Sequence, residues 1–236
     1  MSPRDEYGNA LEGLDAAAIL KWTTEKFGPR VSLATSFGAE DQVLTDLWAG
    51  IGKPARLFTL DTGRLFQETY DVMQATLKRY SLRCEVYAPD AGELARLIEA
   101  DGPNLFYESV EKRKSCCEVR KTRPLARALS GLEAWITGLR TGQSVTRTET
   151  GPIDWDDAHG LYKICPLYNW TEDQVWTYIR EHQIPYNALH DREFRSIGCA
   201  PCTRAVVQGE DLRAGRWWWE TPEHKECGLH KRPRKG

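Results

Sequence analysis

Val31-Ser32-Leu33-Ala34-Thr35-Ser36-Phe37-Gly38-Ala39-Glu40-Asp41-Gln42-Val43-Leu44-Thr45-Asp46-Leu47-Trp48 carries three signals in succession. Residues 31–35 are a short, largely apolar run with β-branched members. Residues 36–41 form a small-residue turn around Gly38, and Val43, Leu44, Leu47 and Trp48 then recur with helical spacing. That is strand, tight loop, helix. The same grammar returns at 55–60, at Asp61-Thr62-Gly63, and along an amphipathic stretch over about 65–80. Further strands are predicted at 84–87 and 134–138, with a helix over 94–100. Repeated alternation of this kind predicts an α/β fold, a mostly parallel twisted sheet flanked by helices.

Beyond the glycine- and threonine-rich residues 138–151, a strand is predicted at 162–165. A helix follows, capped by Thr171, with Glu172 and Asp173 in its first turn and an end near His182. The chain then turns irregular through Gly198-Cys199-Ala200-Pro201-Cys202 and Trp217-Trp218-Trp219 to a basic end at 231–235. The expected organisation is one α/β domain over 1–215, which includes the cysteine sites, and a mobile tail over 216–236 that carries Cys227. At 236 residues, 41% hydrophobic and 28% charged, the chain has the composition of a globular protein.

No stretch has membrane-spanning length, so no membrane partner is expected, and residues 1–6 lack the apolar core of a secretory signal. The expected location is cytoplasmic. In that reducing compartment seven cysteines read as metal or catalytic groups rather than as a disulfide framework. A net charge of −2 argues against broad electrostatic binding to nucleic acid, so an anionic ligand must be met by local basic clusters.

In an open parallel sheet, ligands gather beyond the carboxyl ends of the strands, and a loop opening a helix offers N–H groups to phosphate. Thr35, Ser36 and Gly38 occupy such a loop. It has neither a Walker pattern nor GxGxxG, and an ordinary βα turn with a permissive glycine accounts for the pattern equally well.

Cys116 and Cys117 are adjacent and lie far ahead of the CxxC formed by Cys199 and Cys202. Four thiolates can hold either one zinc ion or a four-iron cluster. Two neighbouring residues reach a single small tetrahedral ion only with strain, whereas a cluster presents separate irons, so the spacing favours iron–sulfur. The bland alternative is buried thiol packing plus a redox dithiol. Against it, the tandem pair sits in the basic window Lys112-Arg113-Lys114-Ser115-Cys116-Cys117-Glu118-Val119-Arg120-Lys121, poor core material but a good setting for thiolates. If that window is helical, Arg120 and Lys121 fall one turn after Cys116 and Cys117.

Cys227, in Glu226-Cys227-Gly228-Leu229-His230, lies near the C-terminus, where a structural thiol packs little and oxidises easily. A functional thiol suits that position better. His230 either tunes it or is a solvated tail histidine. Cys84 and Cys165 have no partner pattern and are expected in the core.

Together, residues 36–41, Leu60-Asp61-Thr62-Gly63, Lys114-Ser115-Cys116-Cys117, Gly138-Leu139-Arg140 with Gln143-Ser144, the Gly198 to Cys202 motif and Glu226 to His230 resemble the assimilatory adenylyl-sulfate/phosphoadenylyl-sulfate reductases. The resemblance spans about 30–230. It implies an adenine-nucleotide alpha-hydrolase-like fold and one 4Fe-4S cluster on Cys116, Cys117, Cys199 and Cys202. It also implies a nucleophile, Cys227, that attacks the sulfur of adenylyl sulfate, expels AMP and leaves an S-sulfocysteine. Thioredoxin or a glutaredoxin-like dithiol would then release sulfite, within sulfate assimilation and cysteine biosynthesis. By the same resemblance Lys121, Arg147, Arg213 and Arg216 meet the anions, His230 is a substrate-binding residue that orients the substrate, and Leu60 and Gly138 present backbone groups to adenine. The oligomeric state is left open, a homo-oligomer included.

Family members with all four cluster cysteines generally use adenylyl sulfate rather than its 3′-phosphorylated form, and Glu40 and Asp41 would repel an added phosphate if they face the ribose. Phosphoadenylyl sulfate, or both nucleotides, is the alternative substrate. Two rival readings are an ATP-dependent thiolation enzyme, which the altered loop and terminal ECGLH oppose, and a zinc-stabilised nucleic-acid-binding module, which the acidic balance opposes.

Overall fold

Asp15 begins an N-terminal helix by accepting the N–H of Ala18 at 2.7 Å, and Gly28, at φ 54°, ends it. This helix, α1 (Ala16–Phe27), was not anticipated, although Ile19, Leu20, Thr23 and Phe27 are buried at helical spacing along one side. The computed structural model describes residues 7–8, 10–52, 56–141, 151–221 and 229.

The succession continues as β1 (Val31–Ala34), α2 (Ala39–Gly50), β2 (Arg56–Leu60), α3 (Gln67–Tyr80), β3 (Cys84–Tyr87), α4 (Ala91–Asp101), α5 (Val110–Cys117) and α6 (Arg123–Leu129). It closes with β4 (Ala134–Ile136), β5 (Ile153–Asp156), β6 (Leu161–Ile164) and α7 (Glu172–Glu181). The six strands form one sheet in the order β3-β2-β1-β4-β6-β5. Strand β1 pairs in parallel with β2 and β4, and β4 pairs in parallel with β6. The expected mostly parallel α/β architecture is therefore present. Val31, Ser32 and Leu33 are all buried, which fits a central strand covered on both faces.

The departure is β5, which pairs antiparallel with β6 through Ile153↔Ile164 and Trp155↔Tyr162. Its alternation Ile-Asp-Trp-Asp ahead of a turn at Gly160 (φ 68°) is a hairpin signal hidden behind the glycine- and threonine-rich stretch. Thr171 caps α7 with a complete capping box, its side chain accepting from Gln174 N–H while Gln174 Oε1 accepts from Thr171 N–H.

The chain divides into two compact units. The first comprises Met1–Thr59, Glu68–Glu85 and Gly131–Ala188, and its core is built from Leu20, Leu33, Val43, Leu44, Ile136 and Ile164 with their neighbours. The second comprises Leu60–Gln67, Val86–Ser130 and Leu189–Gly236. Its smaller core gathers Leu105, Phe106 and Trp217 with Cys116, Cys117, Cys199 and Cys202.

Between α5 and α6 the chain makes a π-helical turn, Glu118–Thr122. Pro124 supplies the cause: it has no N–H to offer the carbonyl four residues back and its ring crowds that carbonyl. Arg123 N–H accordingly reaches Glu118 O, a five-residue step. No helix among the described residues is long and apolar enough to cross a membrane.

Candidate functional site

In the first unit, Thr35, Ser36 and Gly38 follow β1 and open α2 as expected, but their polar groups are already engaged with one another. Asp41 Oδ2 accepts from Ser36 N–H at 2.6 Å and from Ser36 Oγ–H at 2.7 Å, and Phe37 N–H donates to Thr35 Oγ1 at 3.0 Å. Phe37 is held at φ 57°, the left-handed region, with its ring buried. Gly138, just beyond β4, has to be glycine: a Cβ there would stand 2.7 Å from Asp41 Oδ1 and 2.8 Å from Glu40 Cβ.

Glu40 is not a bare charge. Arg140, buried, holds its Oε1 through Nε at 2.9 Å and Nη2 at 2.7 Å, while Arg140 Nη1 donates to Trp170 O at 3.2 Å. Glu40 and Asp41 therefore do not stand as two bare charges against a 3′-phosphate: one carboxylate is ion-paired and the other is turned into the loop.

Burial raises the Asp41 carboxyl from 3.8 to about 6, against the lowering effect of its hydrogen bonds from Ser36. The folded state thus binds this proton more tightly than the unfolded chain. The resulting stability is fully present below pH 3.8 and is lost as pH rises through about 6. Relative to Asp41→Asn, which cannot titrate, the native protein should gain about 2 kcal/mol on going from about pH 7.5 to about pH 4.5. Urea denaturation of both proteins across that range checks it, and a difference that does not change with pH refutes it.

In the second unit the four predicted metal ligands come together. Cys116, Cys117, Cys199 and Cys202 are 5–7% exposed, none is in a disulfide, and all line one pocket. Arg64, Arg113, Arg120 and Lys121 line it too. The π-helical turn adds a residue to the step, so that the charges of both Arg120 and Lys121 act on Cys116. Arg120 Nη1 donates to Thr62 O at 2.6 Å, and Thr62 Oγ1 lies 3.2 Å from Cys199 Sγ.

Burial pushes the Cys202 thiol up to about 12, with Cys199 adding to the rise. Cys116 is likewise raised by burial. Burial would raise Cys199 too, yet Lys121, the Thr62 contact and Arg216 outweigh it and bring that thiol below its usual range. Cys199 opposes ionisation of Cys116 and Cys202, and Cys117 opposes that of Cys202, so thiolates gathered here call for an external positive centre.

Among the described residues, no group of three or more His, Cys, Asp or Glu side chains is arranged around a single-ion position. The chemistry of the lining does fit an iron–sulfur cluster. Four soft sulfur donors are buried beside cations that offset negative charge, and two buried donors, Arg120 Nε and Trp217 Nε1, have no hydrogen-bond partner among the described residues. Inorganic sulfur is an acceptor for such groups.

Lys121 and Arg216 belong to this neighbourhood. Arg216 is buried, donates to Ile197 O at 3.3 Å and lies over the Trp217 ring at 4.7 Å. Its guanidinium occupies the room left by Gly198, where a Cβ would stand 2.3 Å from Nη2. Arg213 is half-buried and does not line the pocket; its N–H bonds to Asp211 Oδ1 at 2.9 Å. Leu60 ends β2. Arg147, Cys227 and His230, with Gln143 and Ser144, lie outside the described residues. Cys165 is a core residue, whereas Cys84 is half-buried at the edge of the core, its thiol pushed up to about 12 by burial and by Glu85.

Sequence reasoning passed over Arg113, although it stands four residues before Cys117 on the same helix, and Arg64, whose motif ended for the reader at Gly63. Arg113 is fully buried and pairs with Glu220, Nε to Oε1 at 2.9 Å and Nη2 to Oε2 at 2.7 Å. Arg64 presents its O to Ala200 N–H at 2.8 Å, next to the CxxC.

Comparison with known proteins identifies the family. The phosphoadenosine phosphosulfate reductase domain matches residues 30–205. The protein named adenosine 5'-phosphosulfate reductase from Allochromatium vinosum is 54% identical over 202 residues, covering 86% of this chain and 79% of the relative. The one of the same name from Burkholderia cepacia is 48% identical over 225 residues, covering 95% and 89%. Among solved structures, a phosphoadenylyl-sulfate reductase from Candida auris, a phosphate complex, superposes with a TM-score of 0.75 at 28% identity over 87% of this chain and 98% of that one. On the match over most of its length and these levels of identity, the chain belongs to the phosphoadenosine phosphosulfate reductase family.

Proposed function

We propose that this chain is an adenylyl-sulfate reductase that works through a thiol. The observation that carries the reading is the meeting of four buried cysteines with Arg113, Arg120 and Lys121 in one pocket, in a chain whose relatives bear that name. Cys227 is the nucleophile. Its thiolate attacks the sulfonyl sulfur, an S–S bond forms, and the S–O bond to AMP breaks. A dithiol of the thioredoxin class then attacks the adduct. Two electrons pass to sulfur, sulfite leaves, the dithiol closes to a disulfide and Cys227 is restored.

The protein's share is positioning and charge. AMP is a good leaving group, so the basic residues Lys121, Arg147, Arg213 and Arg216 chiefly hold the sulfate and phosphate oxygens. Residues Thr35, Ser36, Gly38, Leu60 and Gly138 serve the nucleotide, and His230 is assigned beside the thiol. Cys116, Cys117, Cys199 and Cys202 would hold one 4Fe-4S cluster. Bound there, it supplies a fixed electrostatic centre that orders the basic segment, since Cys227 and the external dithiol already provide both electrons.

Anaerobically purified protein should be brown with about four iron and four sulfide per chain, and should release sulfite from adenylyl sulfate faster than from the 3′-phosphorylated nucleotide. Colourless, zinc-loaded protein overturns the cluster. A preference for the 3′-phosphorylated nucleotide overturns the substrate.

A further inference from the structure

Arg113 and Glu220 form a buried bidentate ion pair in the second unit, with side chains 0% and 3% exposed. The pair joins two segments with different duties. Arg113 sits on α5 one turn before Cys117, with which it also interacts. Glu220 lies one residue before the end of the described run 151–221, which leads toward Cys227. The chain is pinned from that side as well: Trp217 N–H donates to Cys202 O at 3.1 Å, and Glu220 N–H donates to Trp217 O at 2.8 Å. The Trp217 ring is fully buried and lies under three cations, Arg216 at 4.7 Å, Arg113 at 4.8 Å and Lys121 at 5.8 Å. Trp217 itself is held at φ 41°, a left-handed turn that re-aims the chain.

A buried, fully hydrogen-bonded ion pair is weak evidence of added stability, because desolvation offsets the attraction, and it is better suited to fixing one geometry among several. Here the geometry fixed is the point from which the chain departs. Cys227 follows Glu220 by seven positions, with six residues between them. At about 3.5 Å per residue, the Cα of Cys227 can lie no more than about 25 Å from that of Glu220.

We propose that Glu220, held by Arg113, is a positioning residue that anchors the root of the segment bearing Cys227 to the helix bearing Cys116 and Cys117. The inference rests on Cys227 being the nucleophile. Anchoring restricts the volume the thiol explores, so its loss lowers the rate of the bound complex rather than the affinity for nucleotide.

The test uses holoprotein with Glu220→Gln and Glu220→Ala. Single-turnover formation of sulfonated Cys227 from adenylyl sulfate is followed by mass spectrometry, alongside steady-state kcat and KM and iron content. The expected result in both variants is adduct formation at least tenfold slower at saturating nucleotide, KM within threefold of wild type and iron unchanged. Glu220→Gln keeps the shape and one acceptor, so it remains informative if the alanine variant folds poorly. Wild-type adduct rates in both variants overturn the anchor. So does loss of iron from both, which would make the pair part of the housing of the four cysteines, and so does a change confined to KM. If the wild-type protein forms no adduct at Cys227, the nucleophile assignment falls first and the anchor with it.

Discussion

Cys227→Ser should lower sulfite release on the order of 10³-fold or more, while iron content and AMP affinity stay at wild-type values. Two physical reasons give an effect of that size. A serine hydroxyl is almost wholly protonated at neutral pH and is a far weaker nucleophile toward sulfur than a thiolate. Even an O-sulfonated serine would offer no S–S bond for a dithiol to exchange. The other cysteines are poorly placed to substitute. Cys165 is 1% exposed in the core, and burial pushes Cys84 and Cys202 up to about 12. Cys116 and Cys117 are buried in the pocket, and Cys199, the one whose thiol is lowered, is 5% exposed against Thr62 and Lys121. Six of the seven cysteines are thus accounted for, and the adduct trapped with labelled substrate should map to the seventh. Turnover of the serine variant within tenfold of wild type would place the nucleophile elsewhere.

The alternation of strand and helix was legible because each parallel strand announces itself twice, by a β-branched run and by the small-residue loop that follows. What escaped were elements without that second signal. Strand β5 lacks it because it joins the sheet through a hairpin at the edge. The helix Ala16–Phe27 lacks a preceding strand, so only its Asp15 cap and apolar spacing mark it. In the site, the four cysteines were legible because thiols among cations make poor core. The ion partners were not. Arg140 and Glu40 lie 100 residues apart, and Arg113 and Glu220 lie 107 apart. A pairing of that range leaves no periodic trace, so Glu40 reads from the sequence as a repulsive charge when it is a neutralised one.

The π-helical turn shows how one residue redirects a site. From sequence, an unbroken helix would set Arg120 behind Cys116 and Lys121 behind Cys117. Pro124 instead goes with a wider turn, in which both cations act on Cys116 and Lys121 acts on Cys199 and Cys202 as well. Lys121 is thereby the cation common to those three thiols, and it is 8% exposed, so solvent screens it little.

That shared position makes Lys121→Met the second variant with a large expected effect. A unit charge about 4 Å from another in a medium of effective dielectric about 20 is worth roughly 4 kcal/mol. Even half of that, lost from a site crowded with anionic sulfur, corresponds to well over tenfold, and the substrate's sulfate would lose the same cation. Turnover should fall on the order of 10²-fold, and iron should be released to a chelator faster than from wild type. Without Lys121, burial, already the largest influence on Cys199, is opposed only by the Thr62 contact and Arg216. Lys121→Arg keeps the charge but not the compact ammonium, and should recover iron retention more fully than turnover. If Lys121→Met keeps both iron and kcat within threefold of wild type, the cations around the thiols are surface charge drawn inward by packing, and the electrostatic role assigned to this pocket has to be given up.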